Sequence, residues 1–176
     1  MRYVLVYGAI AGAIAIAVIT ASIAVESLSH LQSQWFGYLV MLAALTLLFV
    51  GVKRYRDVEC GGVVSFGRAF LVGLGIAVVA GVVYVAGWEA YLATTDGTFM
   101  QDYAAAIIAD MRASGASAAE IAATEAEMAQ AIAMYDRPPM RFLITFSEIF
   151  PVGLLVALVS AAVLRNPRVL PASRAG

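Results

Sequence analysis

Long apolar runs separated by short polar stretches set the pattern of this chain. Four runs, at 3–25, 35–52, 69–93 and 142–164, carry few charged residues. Each approaches the length of about 20 residues that an α-helix needs to cross a hydrocarbon core of about 30 Å. The pattern predicts an all-α polytopic membrane protein with four transmembrane helices, in which residues 1–176 form a single membrane domain.

The segment 94–141, between the third and fourth runs, has apolar residues at the spacing of amphipathic helices. Each half begins with a sequence typical of a capping box, Thr98-x-x-Gln101 and Ser117-x-x-Glu120, and Gly115 separates the two halves. We therefore expect an extracytoplasmic helical hairpin between the third and fourth transmembrane helices. Its predicted apolar stripes are Phe99, Tyr103, Ile107 and Met111 in the first helix, and Ile121, Met128, Ile132 and Tyr135 in the second.

Composition supports a membrane location and narrows the chemistry. Hydrophobic residues make up 62% of the chain and charged residues 13%, and the mean hydropathy of +0.88 lies outside the range of soluble domains. Cys60 and His30 are the only cysteine and histidine, which excludes an intramolecular disulfide, a thiolate metal cluster and an HExxH site. The sequence indicates no cofactor, and it has no basic surface large enough for nucleic acid.

The distribution of lysine and arginine predicts the orientation of the four helices. Arg112, Arg137 and Arg141 fall on one side of a four-span arrangement, and the other basic residues fall on the opposite side. Because loops rich in these residues stay in the cytoplasm, both termini are predicted to be cytoplasmic. The first run follows Arg2 and ends near Ser22-Ile23-Ala24, as a signal peptide would, but its length favours a retained anchor.

Acidic residues near the outward ends of the runs are the candidate ligand-binding groups. Glu89 and Glu148 lie inside the third and fourth runs, and Glu26 closes the first. A charged carboxylate in the bilayer must be neutral, paired, hydrated or near an interface. One hypothesis is an outward-open pocket that binds a small cation, a proton or a lipid-like ligand. The other is a set of ion pairs and hydrogen bonds that fixes how the helices meet.

Three further residues complete the predicted pocket. Arg141 precedes Glu148 by two helical turns and is its expected partner, while Ser147 and Trp88 adjoin the two carboxylates in sequence. Pro151 lacks the amide that would bond to the Ser147 carbonyl, which predicts an acceptor beside Glu148.

Small residues and basic residues mark two other surfaces. Gly8 and Gly12, and Gly73, Ala77 and Gly81, form ridges that let helices approach closely, either within one chain or in a homo-oligomer. The basic residues that follow the second run either bind anionic lipid headgroups or serve as a topology signal that reaches into the interface. These residues are Lys53, Arg54 and Arg56.

Two stretches carry a family resemblance. Residues 51–91 contain a basic-Tyr-Arg-Asp run, Gly-Gly and Ser-Phe-Gly-Arg, and residues 142–164 contain Thr-Phe-Ser-Glu-Ile-Phe-Pro-Val-Gly. Together they resemble the bacterial membrane family known as domain of unknown function 4199. The resemblance implies a four-span protein of the bacterial inner (cytoplasmic) membrane, with an external helical segment between the third and fourth spans. It implies no activity and no catalytic residue.

Three functional hypotheses follow from these observations. The first is a non-enzymatic protein in the lipid bilayer whose carboxylate layer binds a small cation or lipid-like ligand for transport, sensing or an accessory role. The second is a membrane-embedded enzyme acting on a lipid headgroup, with Glu148 or Glu89 as general base. The third is a structural subunit whose external hairpin docks another envelope protein. Whether a metal binds is left open by the sequence.

Overall fold

The computed structural model describes residues 1–24, 34–95 and 97–172, and this part of the chain contains six α-helices. Four of them, α1, α2, α3 and α6, are long and apolar enough to cross a membrane. The prediction of an all-helical chain with four such helices is confirmed. The helices are α1 (Arg2–Ala24), α2 (Gln34–Glu59), α3 (Phe66–Thr94), α4 (Phe99–Ala113), α5 (Ala118–Tyr135) and α6 (Pro138–Leu164).

The second spanning helix continues beyond the apolar run, through its basic stretch to Glu59. An ion pair of 2.6 Å between the Lys53 Nζ and Asp57 Oδ2 atoms, four residues apart, supports this extra length. Gly61 and Gly62 then adopt φ angles of 61° and 88°, in the left-handed region that favours glycine. Such glycines end a helix, and the chain turns here towards α3.

Two prolines begin the last spanning helix. They are Pro138 and Pro139, and α5 ends before them, at Tyr135. Proline fits the first turn of a helix because the amide that it lacks would have no partner there.

The chain divides into two compact units, each described separately below. One comprises Met1–Trp88 and Phe146–Gly176, and the other comprises Glu89–Thr145. The prediction of a single membrane domain stays a prediction.

In the first unit, glycines bring α1 against α3. A Cβ atom added to Gly8 would collide with the Val79 side chain, and one added to Gly12 would collide with the Ala80 carbonyl oxygen. Because the residue numbers of the contacting pairs increase in the same direction along both helices, α1 and α3 run parallel. This close approach of backbones requires residues without side chains at both positions.

The other two helices of this unit run in the opposite direction. Gly73 packs against Ala157 and Gly153 packs against Ala77, so α6 is antiparallel to α3. On the other side, α2 is antiparallel to α1, because Gly51 contacts Tyr7 whereas Gly37 contacts Ile19. Both small-residue ridges predicted from the sequence therefore have contacts within the chain. Homo-oligomer formation through them stays a prediction.

In the second unit, α4 and α5 pack antiparallel. Arg112 Nη2 pairs with Glu125 Oε1 at 2.9 Å near the turn, and Ala104 and Ile108 are the buried residues of α4. The buried face of α4 is thus one position away from the predicted stripe, and Tyr103 is 52% exposed. Ala104 on this face is small enough to let the two helices approach closely, and the predicted stripe of larger residues did not include it. The extracytoplasmic location of the pair stays a prediction.

The two predicted capping boxes have different outcomes. Ser117 accepts a hydrogen bond from the Glu120 backbone amide, and the Glu120 side chain accepts one from the Ser117 amide, so this box is confirmed. The hydrogen bonds from Ser117 lower the pKa of Glu120 below its ordinary value. The box predicted at Thr98 is wrong, because the Thr98 hydroxyl makes no cap and instead donates to Asp102 at 2.8 Å.

Replacement of Gly12 by alanine tests the contact between α1 and α3. The added methyl group must displace α3 backbone, so we expect Gly12→Ala to reduce the free energy of unfolding by about 1–3 kcal/mol. Gly67→Ala is the matched control, because nothing lies within 4 Å of a Cβ atom there. Thermal unfolding in detergent micelles measures both, and equal stability of the two variants would contradict the assigned contact.

Candidate functional site

Glu148 lies well inside the helix α6, which has 27 residues. At a rise of 1.5 Å per residue, it is about 15 Å from the first residue of that helix. Its carboxylate oxygen Oε2 accepts a hydrogen bond of 3.3 Å from the hydroxyl of Tyr84, on α3. Tyr84 is only 2% exposed, so the packing of α3 fixes the position of this hydroxyl.

This hydrogen bond uses little of the acceptor capacity of Glu148. A carboxylate has two oxygens with about four acceptor sites, and hydroxyl donors usually lie about 2.7–2.8 Å away. Within its own unit, no described arginine or lysine pairs with Glu148. Since an ionised carboxylate in hydrocarbon costs at least about 2.5 kcal/mol, this side chain has a strong need for a proton or a cationic partner.

Glu89 has such a partner within the second unit. Arg141 Nε lies 2.6 Å from Glu89 Oε1, and Arg141 Nη2 lies 2.6 Å from Glu89 Oε2. Two parallel bonds of this kind match the fork of a guanidinium to both oxygens of a carboxylate. The Arg141 guanidinium also lies 5.7 Å from the centre of the Tyr135 ring. The negative charge of Glu89 is therefore balanced inside the protein.

The predicted partner of Arg141 was Glu148, and the structure pairs Arg141 with Glu89 instead. Two helical turns separate residues 141 and 148 along α6, a distance of about 10 Å that the arginine would have had to bridge. Glu89 offers both oxygens within hydrogen-bond distance. The hypothesis that ion pairs fix the helices therefore gains support at Glu89.

The other predicted pocket residues lie in several places. Trp88 is buried, at 7% exposure, whereas Ser147 is exposed. Glu26 lies outside the residues that the structure describes. Because Glu89 and Glu148 belong to different compact units, their membership of one common layer stays a prediction.

Tyr84 was missed by the analysis of the sequence. It stands in the middle of an apolar run, where a tyrosine hydroxyl needs a hydrogen-bond partner. That requirement was the available signal, and a carboxylate on another spanning helix meets it.

Arg56 lies at the end of the first unit opposite Glu148, where it joins two parts of the chain. This side chain is 0% exposed. Its Nε atom donates to Asp57 Oδ1 at 2.7 Å, its Nη1 atom donates to the Val169 carbonyl at 2.9 Å, and its Nη2 atom donates to the Leu170 carbonyl. Leu170 has a φ angle of 46°, which is strained for a leucine, and the bond to Arg56 helps to hold it. The chain after α6 is thereby attached to the end of α2.

The three residues that were predicted to bind lipid headgroups differ in their partners and in their exposure. All three side-chain nitrogens of Arg56 donate hydrogen bonds within the protein, and Lys53 pairs with Asp57. Only Arg54 is exposed. The headgroup role of Lys53 and Arg54 stays a prediction, and the guanidinium of Arg56 is not accessible for it in this structure.

A family comparison agrees with this architecture. The family model described as "Protein of unknown function (DUF4199)" matches residues 6–166. The chain belongs to this family. The matched region includes all of the residues that carried the resemblance, as well as Glu89 and Glu148. Among curated proteins and among solved structures, no protein matches the chain.

Membership of the DUF4199 family and four helices able to span a membrane fit an integral membrane protein of unknown activity. The family description brings no substrate, cofactor or partner to this chain. No group of three or more metal-ligating side chains occurs among the described residues.

A double-mutant cycle tests the pairing of Glu89 with Arg141. We expect Glu89→Gln and Arg141→Gln to show a coupling of about 1 kcal/mol in the free energy of unfolding, because two charge-assisted bonds join the side chains. The pair Arg112–Glu125 is the control, since it has one bond and side chains that are 62% and 50% exposed. Its coupling should stay below about 0.5 kcal/mol. Equal couplings of the two pairs in chemical unfolding experiments would contradict the prediction that Glu89 and Arg141 form the stronger pair.

Proposed function

We propose that this protein is a membrane-embedded binding protein in which Glu148, oriented by Tyr84, binds a small cation or the cationic headgroup of a lipid-like ligand. One observation carries the proposal: in the described part of its own unit, the Glu148 carboxylate meets only a neutral hydrogen-bond donor. Transport, sensing and an accessory role in a larger complex all use such a site.

The distribution of charge supports Glu148 as the binding residue rather than Glu89. Both oxygens of Glu89 are engaged by Arg141, so a cationic ligand would have to compete with a guanidinium. Glu148 has most of its acceptor sites available, and its side chain is exposed. A proton would satisfy the same site, so we propose that protons and cations compete for Glu148.

The basic end of the first unit supports an orientation. Arg56 joins the end of α2 to the chain after α6, and Tyr3 at the start of α1 lies against Tyr55, with ring centres 6.0 Å apart. The basic residues near these three helix ends thus lie at one end of the bundle. By the positive-inside rule we propose that this end, with both termini, faces the cytoplasm, in the inner membrane of a bacterium.

The enzyme hypothesis has less support from the site. A general base must offer an oxygen to the proton that it removes, and both oxygens of Glu89 are bonded to Arg141. Glu148 is the carboxylate that such an enzyme would use.

Docking of an envelope protein is a second proposal, and it rests on the crevice between α4 and α5. The crevice has a volume of about 340 Å³, and apolar side chains including Ile108, Met128 and Ile132 line it. An extracytoplasmic helix pair with this crevice would offer a site to an apolar side chain of a partner.

Thermal unfolding with a panel of cations tests the binding proposal. The probes are the chlorides of sodium, potassium, choline and ethanolammonium, added at equal ionic strength to the full chain in detergent micelles. A cation at about 100 times its Kd stabilises by about 2.7 kcal/mol, which corresponds to a rise in Tm of about 5–10 °C. We expect one of these cations to give such a rise in the unmodified protein and none in Glu148→Gln.

Glu125→Gln is the matched control, because Glu125 is an exposed glutamate of the other unit. It should keep the full response to the cation. Tyr84→Phe should weaken the response without abolishing it, since it removes one hydrogen bond from the carboxylate. The proposal fails if no cation raises Tm, or if Glu148→Gln responds as the unmodified protein does.

A further inference from the structure

A groove lies between the start of α1 and the last turns of α2, at the basic end of the first unit. It has a volume of about 340 Å³ and is lined by Arg2, Tyr3, Val6, Tyr7 and Arg54. Two guanidinium groups therefore share one cavity with aromatic and aliphatic side chains. This combination suits a ligand with an anionic group at one end and an apolar body at the other.

The two arginines of the groove carry charge that the protein does not balance. Among the described residues, neither Arg2 nor Arg54 forms an ion pair with an acidic side chain. Asp57, the acid on the next turn of α2, lies 2.6 Å from Lys53 and 2.7 Å from Arg56. It is thus neutralised by other residues, and the groove keeps a net positive charge.

Aromatic packing fixes the wall of the groove. Tyr3 is 7% exposed, and its ring meets that of Tyr55 edge to face. The Arg2 guanidinium lies 5.4 Å from the centre of the Tyr3 ring, a cation–π distance that limits its freedom. A positioned guanidinium loses less conformational entropy on binding than a free one does.

The floor of the groove continues onto apolar surface. Val6 is 47% exposed, and Ile10, one turn further along α1, is 46% exposed. In a spanning helix, exposed side chains of this kind face the acyl chains of the bilayer. Helix α1 begins at Arg2, and the first turn of a helix favours an anion.

We infer that this groove binds an anionic phospholipid, with its phosphate between Arg2 and Arg54 and an acyl chain along Val6 and Ile10. Arginine suits the phosphate because its planar fork donates two parallel hydrogen bonds to phosphate oxygens. The headgroup site predicted from the sequence shares Arg54 with this groove, whose other lining arginine is Arg2. The groove does not involve Glu148. The lipid site and the proposed cation site can therefore be tested independently.

Native mass spectrometry of the full chain in detergent tests the inference. The probes are phosphatidylglycerol, which carries a net negative charge, and phosphatidylcholine, which is zwitterionic. We expect phosphatidylglycerol to bind more tightly, and Arg2→Gln and Arg54→Gln each to weaken it about fivefold, because each removes one basic group. Arg165→Gln is the control, since this exposed arginine follows α6 and does not line the groove. It should bind as the unmodified protein does.

A second variant distinguishes binding in the groove from attraction by the charge of the arginines alone. Val6→Trp keeps both arginines and fills the apolar floor at an exposed position, so it should reduce phosphatidylglycerol binding while thermal unfolding stays cooperative. Inorganic phosphate in millimolar excess should not displace the lipid. Equal loss in Arg165→Gln would overturn the inference in favour of general attraction to the basic end. Full binding by Val6→Trp, or displacement by free phosphate, would overturn the lipid as ligand.

Discussion

A charged group in apolar surroundings needs a partner, and this constraint governs the structure. Arg56 meets it with one carboxylate and two carbonyl oxygens, and these bonds attach the chain after α6 to the end of α2. Glu89 meets it with both arms of the Arg141 guanidinium. In the described part of its own unit, Glu148 has only the hydroxyl of Tyr84, and this difference makes it the candidate binding residue.

Helix packing without large side chains holds these groups in place. Glycines let α1 and α6 approach α3 closely, and α3 is the spanning helix with the largest buried share. Tyr84 is buried in this packing, and its hydroxyl donates a hydrogen bond to Glu148 on α6. At the basic end, the same arrangement aligns the start of α1 with the end of α2 and leaves a groove between them. The two proposed sites thus depend on one bundle but on different helix pairs.

Periodicity and length were sufficient to predict the spanning helices, because apolar runs of this size have few alternatives in water or lipid. The capping box at Ser117 was predictable for a local reason, since its four residues contain both hydrogen-bond partners. The hydrogen-bond partners of the arginines were not predictable from the sequence. Arg141 bonds to a residue on another helix, and Arg56 is buried by a segment far along the chain. Such contacts depend on tertiary packing, which sequence spacing does not record.

Among the residues that the structure describes, Glu89 pairs with an arginine and Glu148 pairs with none in its own unit. Solid-state NMR of the protein in lipid bilayers measures this through the dipolar coupling between glutamate carboxyl carbons and arginine guanidinium nitrogens. The account predicts a strong coupling for Glu89, which Arg141→Lys removes, and none for Glu148. A guanidinium coupling at Glu148 of similar strength would contradict the account, because the carboxylate would then have a partner within the protein.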